Sequence, residues 1–151
     1  MGEVRFYHLT ERPLESVLPV MLERSLDRGW RAQIRGTVPD RISALDTHLW
    51  TYRGESFLPH GAGQRCDDEP IWLTCSADED HAANALFLID GADFEGSEAT
   101  RMEMTAVLFD GLDPAAVDHS RAQWRKVTAL GLKAIYWAQE GGSWVKKSEV
   151  G

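Results

Sequence analysis

Residues 4–29 read V-R-F-Y-H-L-T-E-R-P-L-E-S-V-L-P-V-M-L-E-R-S-L-D-R-G, and this stretch sets the fold class. Val4–Leu9 is short, apolar and aromatic, as a strand requires. Leu14, Val17, Leu18, Met21, Leu22 and Leu26 then recur at the i, i+3, i+4, i+7 spacing of an amphipathic helix. Pro19 conflicts with a helix interior, so regular helix is predicted from near Ser16, which leaves Pro19 in the first turn. Gly29 ends it, and Trp30–Arg35 reads as a second strand. Strand, helix and strand in that order predict a parallel βαβ unit. The first turn settles a second question. A turn that cradles a pyrophosphate needs glycines so that the backbone can approach it. Here it is Thr10-Glu11-Arg12-Pro13, and no G-x-x-x-x-G-K-[ST] occurs anywhere.

The rest of the chain continues the pattern with less regularity. Thr37-Val38-Pro39-Asp40 resembles a capping box opening a helix to about Trp50, with Ile42, Leu45 and Leu49 as its buried stripe. Phe57-Leu58-Pro59-His60-Gly61 is a predicted loop, and the polar residues 62–70 are expected to be mobile. Ile71–Thr74 and Ala85–Ile89 are nearly all apolar, as in strands covered on both faces. Gly91 to Ala99 is read as a loop and Met102–Phe109 as a strand. Asp113 as N-cap with Pro114 at the first helical position opens a helix to about Leu130, with Gly131 behind it. Leu132–Trp137 is the last predicted strand, and Gly141-Gly142 turns into a short tail containing Trp144. The prediction is one α/β domain over residues 1–151: three layers, Rossmann-like, with a mostly parallel sheet and no nucleotide-binding loop.

Composition narrows the function. With 43% apolar residues, including six Trp and five Phe, the chain can fill one core without staples. No run approaches a membrane span, and the N-terminus reads as a strand rather than a secretory signal. Cys66 and Cys75 form neither a disulfide framework nor a C-x-x-C pair, which favours the cytoplasm. The net charge of −8 is uneven. Residues 76–118 hold eleven acidic side chains against Arg101 alone, whereas residues 119–151 hold six basic against two acidic. An acidic whole argues against direct DNA binding, and a basic end on an acidic body suits a local acidic partner. The five histidines show no metal-ligand spacing, and no G-x-S-x-G elbow is present. Asp67-Asp68-Glu69 and Asp78-Glu79-Asp80 lack the EF-hand pattern and read as solvated charge. No catalytic constellation, metal site or cofactor is expected.

One constellation stands out on the helix after Pro114. At about 100° per residue, Arg121, Arg125 and Thr128 share a face, with Trp124 about 60° from Arg121. The opposite side offers Val117, Val127 and Leu130 to the core. Two forked cations beside a large aromatic suit a peptide end that carries a carboxylate and an apolar last side chain. Spacing alone leaves the alternative open that Trp124 is core and the arginines snorkel at its edge.

The ordered segments V-R-F-Y-H-L-T, R-G-W-R, L-W-T-Y-R-G-E-S-F-L-P-H-G (49–61), P-I-W-L-T (70–74), N-A-L-F-L-I-D-G-A (84–92) and L-F-D-G (108–111) extend the reading. With the block from Ser120 to Lys147, they make the chain similar to the chi subunit of bacterial DNA polymerase III over essentially its whole length. The resemblance implies a non-catalytic accessory subunit of the clamp-loader complex, with polymerisation residing in another subunit. It implies two partners: the acidic C-terminal tail of the single-stranded-DNA-binding protein, which ends in Asp, Pro and Phe, and the psi subunit. DNA is met only indirectly, and neither a membrane nor a small-molecule substrate is implied. Carried over by position, Arg121 meets the tail's carboxylates, Trp124 stands at an aromatic position and Arg125 at a basic one. Thr128 lies beside them, and Gly131 matches a glycine near the pocket. Val117 departs from the pattern where relatives can carry a lysine. The psi contact maps to Leu49, Trp50 and Phe57. The competing readings are an adaptor for another replication or repair partner, such as a helicase, and a small α/β enzyme with a nucleotide-like substrate.

Overall fold

The computed structural model describes residues 2–51, 60–62, 71–75 and 83–150, with side chains at 49–51 and 60–62 left aside. The elements are β1 (Glu3–Leu9), α1 (Leu14–Asp27), β2 (Ala32–Arg35), α2 (Pro39–Thr51), β3 (His60–Ala62), β4 (Ile71–Thr74), β5 (Ala85–Leu88), α3 (Gly96–Arg101), β6 (Met104–Asp110), α4 (Pro114–Ala129), β7 (Lys133–Glu140) and β8 (Ser143–Val150). The strands form one sheet in the order β3-β4-β2-β5-β6-β1-β7-β8. Every pairing is parallel except β7 with β8.

Period-two alternation along the strands builds two cores, one on each face. Tyr7, Leu9, Ile34, Leu73, Phe87 and Leu108 point to one face, where α1 and α2 cover them with Leu14, Leu18, Leu22, Ile42 and Leu45. Val4, Phe6, Leu86, Leu88, Val107 and Phe109 point to the other, under Ala99 of α3 and Val127 of α4. The chain is therefore a three-layer α/β domain with a mostly parallel sheet.

Several local expectations are corrected. Helix α1 begins at Leu14 rather than Ser16, which puts Pro19 in the second turn. The missing N–H of Pro19 frees the carbonyl of Glu15, and His48 Nε2 of α2 donates to that oxygen at 2.8 Å. A neighbouring helix thus satisfies the acceptor that the proline leaves bare. The Thr37 hydroxyl donates to the carbonyl of Asp90 at 2.8 Å, and Pro39 is the first residue of α2. His60–Ala62, expected in a loop, pairs with β4 as a short edge strand, while 63–70 lie outside the described residues. The expected loop from Gly91 contains α3, with a reciprocal capping box between Glu95 and Glu98. The expected tail is β8, joined to β7 through Gly141 and Gly142, both at positive φ.

Candidate functional site

Helix α4 is fixed at both ends by its own sequence. The Asp113 side chain accepts from the Ala115 N–H at 3.0 Å, with Pro114 behind it. At the other end Gly131 takes φ +75°, a conformation a side chain would strain, and Leu132 N–H returns to the Val127 carbonyl at 3.3 Å. The buried side is more polar than its spacing suggests: Ser120, Gln123 and Val127. Gln123 Nε2 donates to the Ala92 carbonyl and to Asp93 Oδ1, each at 3.0 Å. Lys126 donates to the Phe94 carbonyl and lies over the Phe94 ring. Of the expected core residues Val127 is fully buried, Val117 is half-buried, and Leu130 is a correction at 49% exposed. Leu130 follows the last helical residue, so it turns outward over Gly96 rather than under the helix.

The outer side brings the predicted residues into one strip. The Arg121 side chain is 69% exposed, and its one ion pair among the described residues is a long 3.9 Å contact with Asp118. Arg125 is exposed, and Thr128 donates its hydroxyl to the Arg125 carbonyl at 3.1 Å. Trp124 is half-buried, with its ring 5.3 Å from Phe6 and 6.1 Å from Tyr136. Trp124 is thus only partly core: its ring packs on Phe6 and Tyr136, and the residue stays half-buried rather than enclosed. Gly131 closes the strip, and a Cβ there would meet nothing within 4 Å.

The sheet adds residues the helical spacing did not reveal. Phe6 and Tyr136 are register partners on β1 and β7 and lie on the α4 side. The Tyr136 hydroxyl is 2.8 Å from His8 Nδ1, and the His8 ring stacks on Phe109 with centroids 5.1 Å apart. Burial pushes the Tyr136 phenol up, and the charge of nearby Arg121 draws it partly back. Guanidinium, indole and phenol thus border one shelf. The signal was available in period two along β1 and β7, once their adjacency is known.

Leu49 and Trp50 belong to the last turn of α2, but their side chains lie outside the described residues, as do Phe57 and Cys66. Helix α2 packs on the sheet face opposite α4.

At the carboxyl ends of β5, β6 and β1 lies a crevice of about 990 Å³, where doubly wound folds place ligands. The phosphate-cradling turn is occupied from within. The N–H groups of Thr10, Glu11 and Arg12 converge on Gln139 Oε1 at 2.9, 2.9 and 3.2 Å. In return the Glu11 carboxylate accepts from the N–H groups of Gly141 and Gly142, each at 2.9 Å. Arg41 joins Glu15 to Asp90 across the crevice wall. Among the described residues no group of three or more His, Cys, Asp or Glu side chains could hold a metal ion. No described helix is long and apolar enough to cross a membrane.

A protein-family model described as DNA polymerase III chi subunit, HolC, matches residues 1–134, which takes in α4 and Gly131 and ends inside β7. No curated protein matches the sequence.

Proposed function

The chain belongs to the DNA polymerase III chi subunit family and so to DNA replication, and from that premise we propose that it is a non-catalytic adaptor which holds the acidic tail of single-stranded-DNA-binding protein on α4. The observation that carries the reading is the juxtaposition of exposed Arg121 with the Trp124–Tyr136 shelf at the basic end of the chain. Arg121 pairs with the tail's terminal or aspartate carboxylates, and Arg125 adds a second charge contact. The terminal Phe of the tail lies against Trp124 and Tyr136. Thr128 has spent its proton on the helix backbone, which leaves its oxygen to accept from a tail N–H. Gly131 lets the chain leave the helix without a side chain beside this strip.

Helix α2 lies on the opposite face of the sheet from α4. A psi subunit seated at Leu49, Trp50 and Phe57 would then leave α4 free, and both partners could be held at once as the clamp loader requires. The net charge of −8 keeps the body away from DNA phosphate, so DNA is reached through the partner. The setting is the cytoplasm.

Fluorescence anisotropy of a labelled acidic peptide ending in Asp-Pro-Phe tests the site. Micromolar affinity, about −8 kcal/mol, is expected, weakening as salt rises. Arg121→Ala should cost about 1.5–3 kcal/mol, ten- to a hundred-fold in affinity. Unchanged binding in both Arg121→Ala and Trp124→Ala would move the site off this helix.

A further inference from the structure

The crevice at the strand carboxyl ends is opposite in sign to the α4 strip. Five carboxylates line it, from Glu11, Glu15, Asp90, Asp110 and Asp113, against the guanidiniums of Arg12 and Arg41. Arg41 is shared by Glu15 and Asp90, and Glu11 is held by two glycine amides. Asp110, the last residue of β6, and Asp113, the N-cap of α4, are left. Each uses one oxygen locally, on the N–H of Leu112 and of Ala115, and neither has an ion-pair partner among the described residues.

Three further observations fall in the same place. Leu112, between those two acids, is 75% exposed, and Val38 across the crevice is 47% exposed, so the rim carries two unpacked apolar side chains. Gln123 lines the crevice at 3% exposure; its Nε2 is engaged, whereas its Oε1 has no partner among the described residues. Asp90 takes φ +52°, the one described non-glycine residue in the left-handed region, and such strain concentrates at functional positions.

We propose that this crevice is a docking surface for a basic amphipathic segment of a partner protein. A lysine or arginine of that segment reaches between Asp110 and Asp113. An apolar residue on the same side of the segment covers Leu112 and Val38. An anionic ligand is disfavoured, because the amides that would hold it are filled by Gln139. The surface is independent of the acidic-tail site, whose ligand has the opposite charge.

The test uses the full chain and a labelled helical peptide of leucine and arginine arranged with one apolar face. Saturable binding is expected, with amide NMR shifts concentrated at residues 36–41, 90–93 and 110–119. Leu112→Ser and the pair Asp110→Asn with Asp113→Asn should each weaken binding by at least about tenfold. Asparagine at 113 still caps α4, and both variants should keep the wild-type melting temperature and acidic-tail binding, so that weakening reports the surface rather than the fold. Equal binding by the variants, equal binding of a scrambled peptide of the same composition, or shifts centred on Arg121–Gly131 would each overturn the proposal.

Discussion

Replacing Gln139 by alanine removes one atom on which three backbone N–H groups depend. The donors are Thr10, Glu11 and Arg12, at 2.9–3.2 Å from Oε1. A single hydrogen bond contributes about 0.5–1.5 kcal/mol net. Three donors on one oxygen share its lone pairs, and the turn is exposed at residues 10–12, so water can reach part of the gap. The expected loss is therefore about 1.5–3 kcal/mol rather than the full desolvation of three amides. For a domain of this size that lowers the melting temperature by roughly 4–10 °C. Urea denaturation should show a lower midpoint with an unchanged slope, since the same surface is exposed on unfolding. Gln139→Glu is the informative companion. A carboxylate accepting these N–H groups would titrate below its ordinary value in the folded state. Its contribution would be present at neutral pH and lost as pH falls through that lowered folded value. Gln139→Glu should thus lie between wild type and Gln139→Ala at neutral pH and converge on Gln139→Ala in acid. A Gln139→Ala protein within about 0.5 kcal/mol of wild type would refute the reasoning, because it would mean that solvent serves those amides equally well.

Glu98 is held below the ordinary carboxylate range by its hydrogen bonds to Arg35, a guanidinium that is 4% exposed. That contribution is full above about 4.5, the ordinary glutamate value, and disappears as pH falls through the lowered folded value. Glu98→Gln should cost about 3 kcal/mol at neutral pH by stranding Arg35, and should flatten the acid limb of stability against pH. His48→Ala should cost about 1 kcal/mol, because the Glu15 carbonyl loses the donor that answers Pro19. Adding Pro19→Ala restores a backbone N–H to that carbonyl, so a double-mutant cycle should show the His48→Ala cost shrinking; additive costs would break the link.

The parts of the fold legible in sequence were those with strong local chemistry. The apolar repeat from Leu14 to Leu26 and the Asp113-Pro114 start gave α1 and α4 because each is decided by side chains within a turn or two. What escaped was settled at a distance. Pro19 sits inside α1 because His48, 29 positions away, answers the freed carbonyl. Helix α3 buries only Ala99 and shows no stripe; its capping box is two glutamates in an acidic stretch. Strand β8 is mostly exposed and carries Lys146 and Lys147, so alternation is faint and its pairing with β7 is what reveals it. The candidate strip divides the same way. Arg121, Trp124, Arg125 and Thr128 follow from helical spacing, whereas Phe6, His8 and Tyr136 join them only through the β1–β7 register.

Strand β1 lies between β6 and β7, and the Thr10–Gln139 contact spans 129 positions. Among the described strands β1 comes first in the chain, and it waits for β7, about 130 positions on, before both its neighbours exist. Such long-range closure is entropically slow, and until then the apolar faces of β1 and α1 stay open to chaperones and to aggregation. Because α4 connects the two flanking strands, the candidate strip, in which Trp124 packs on Phe6 and Tyr136, is assembled only when the sheet closes. A chain cut short before β7 would lack Tyr136 and the Phe6–Tyr136 register, so α4 would stand without the part of the sheet that completes its candidate strip.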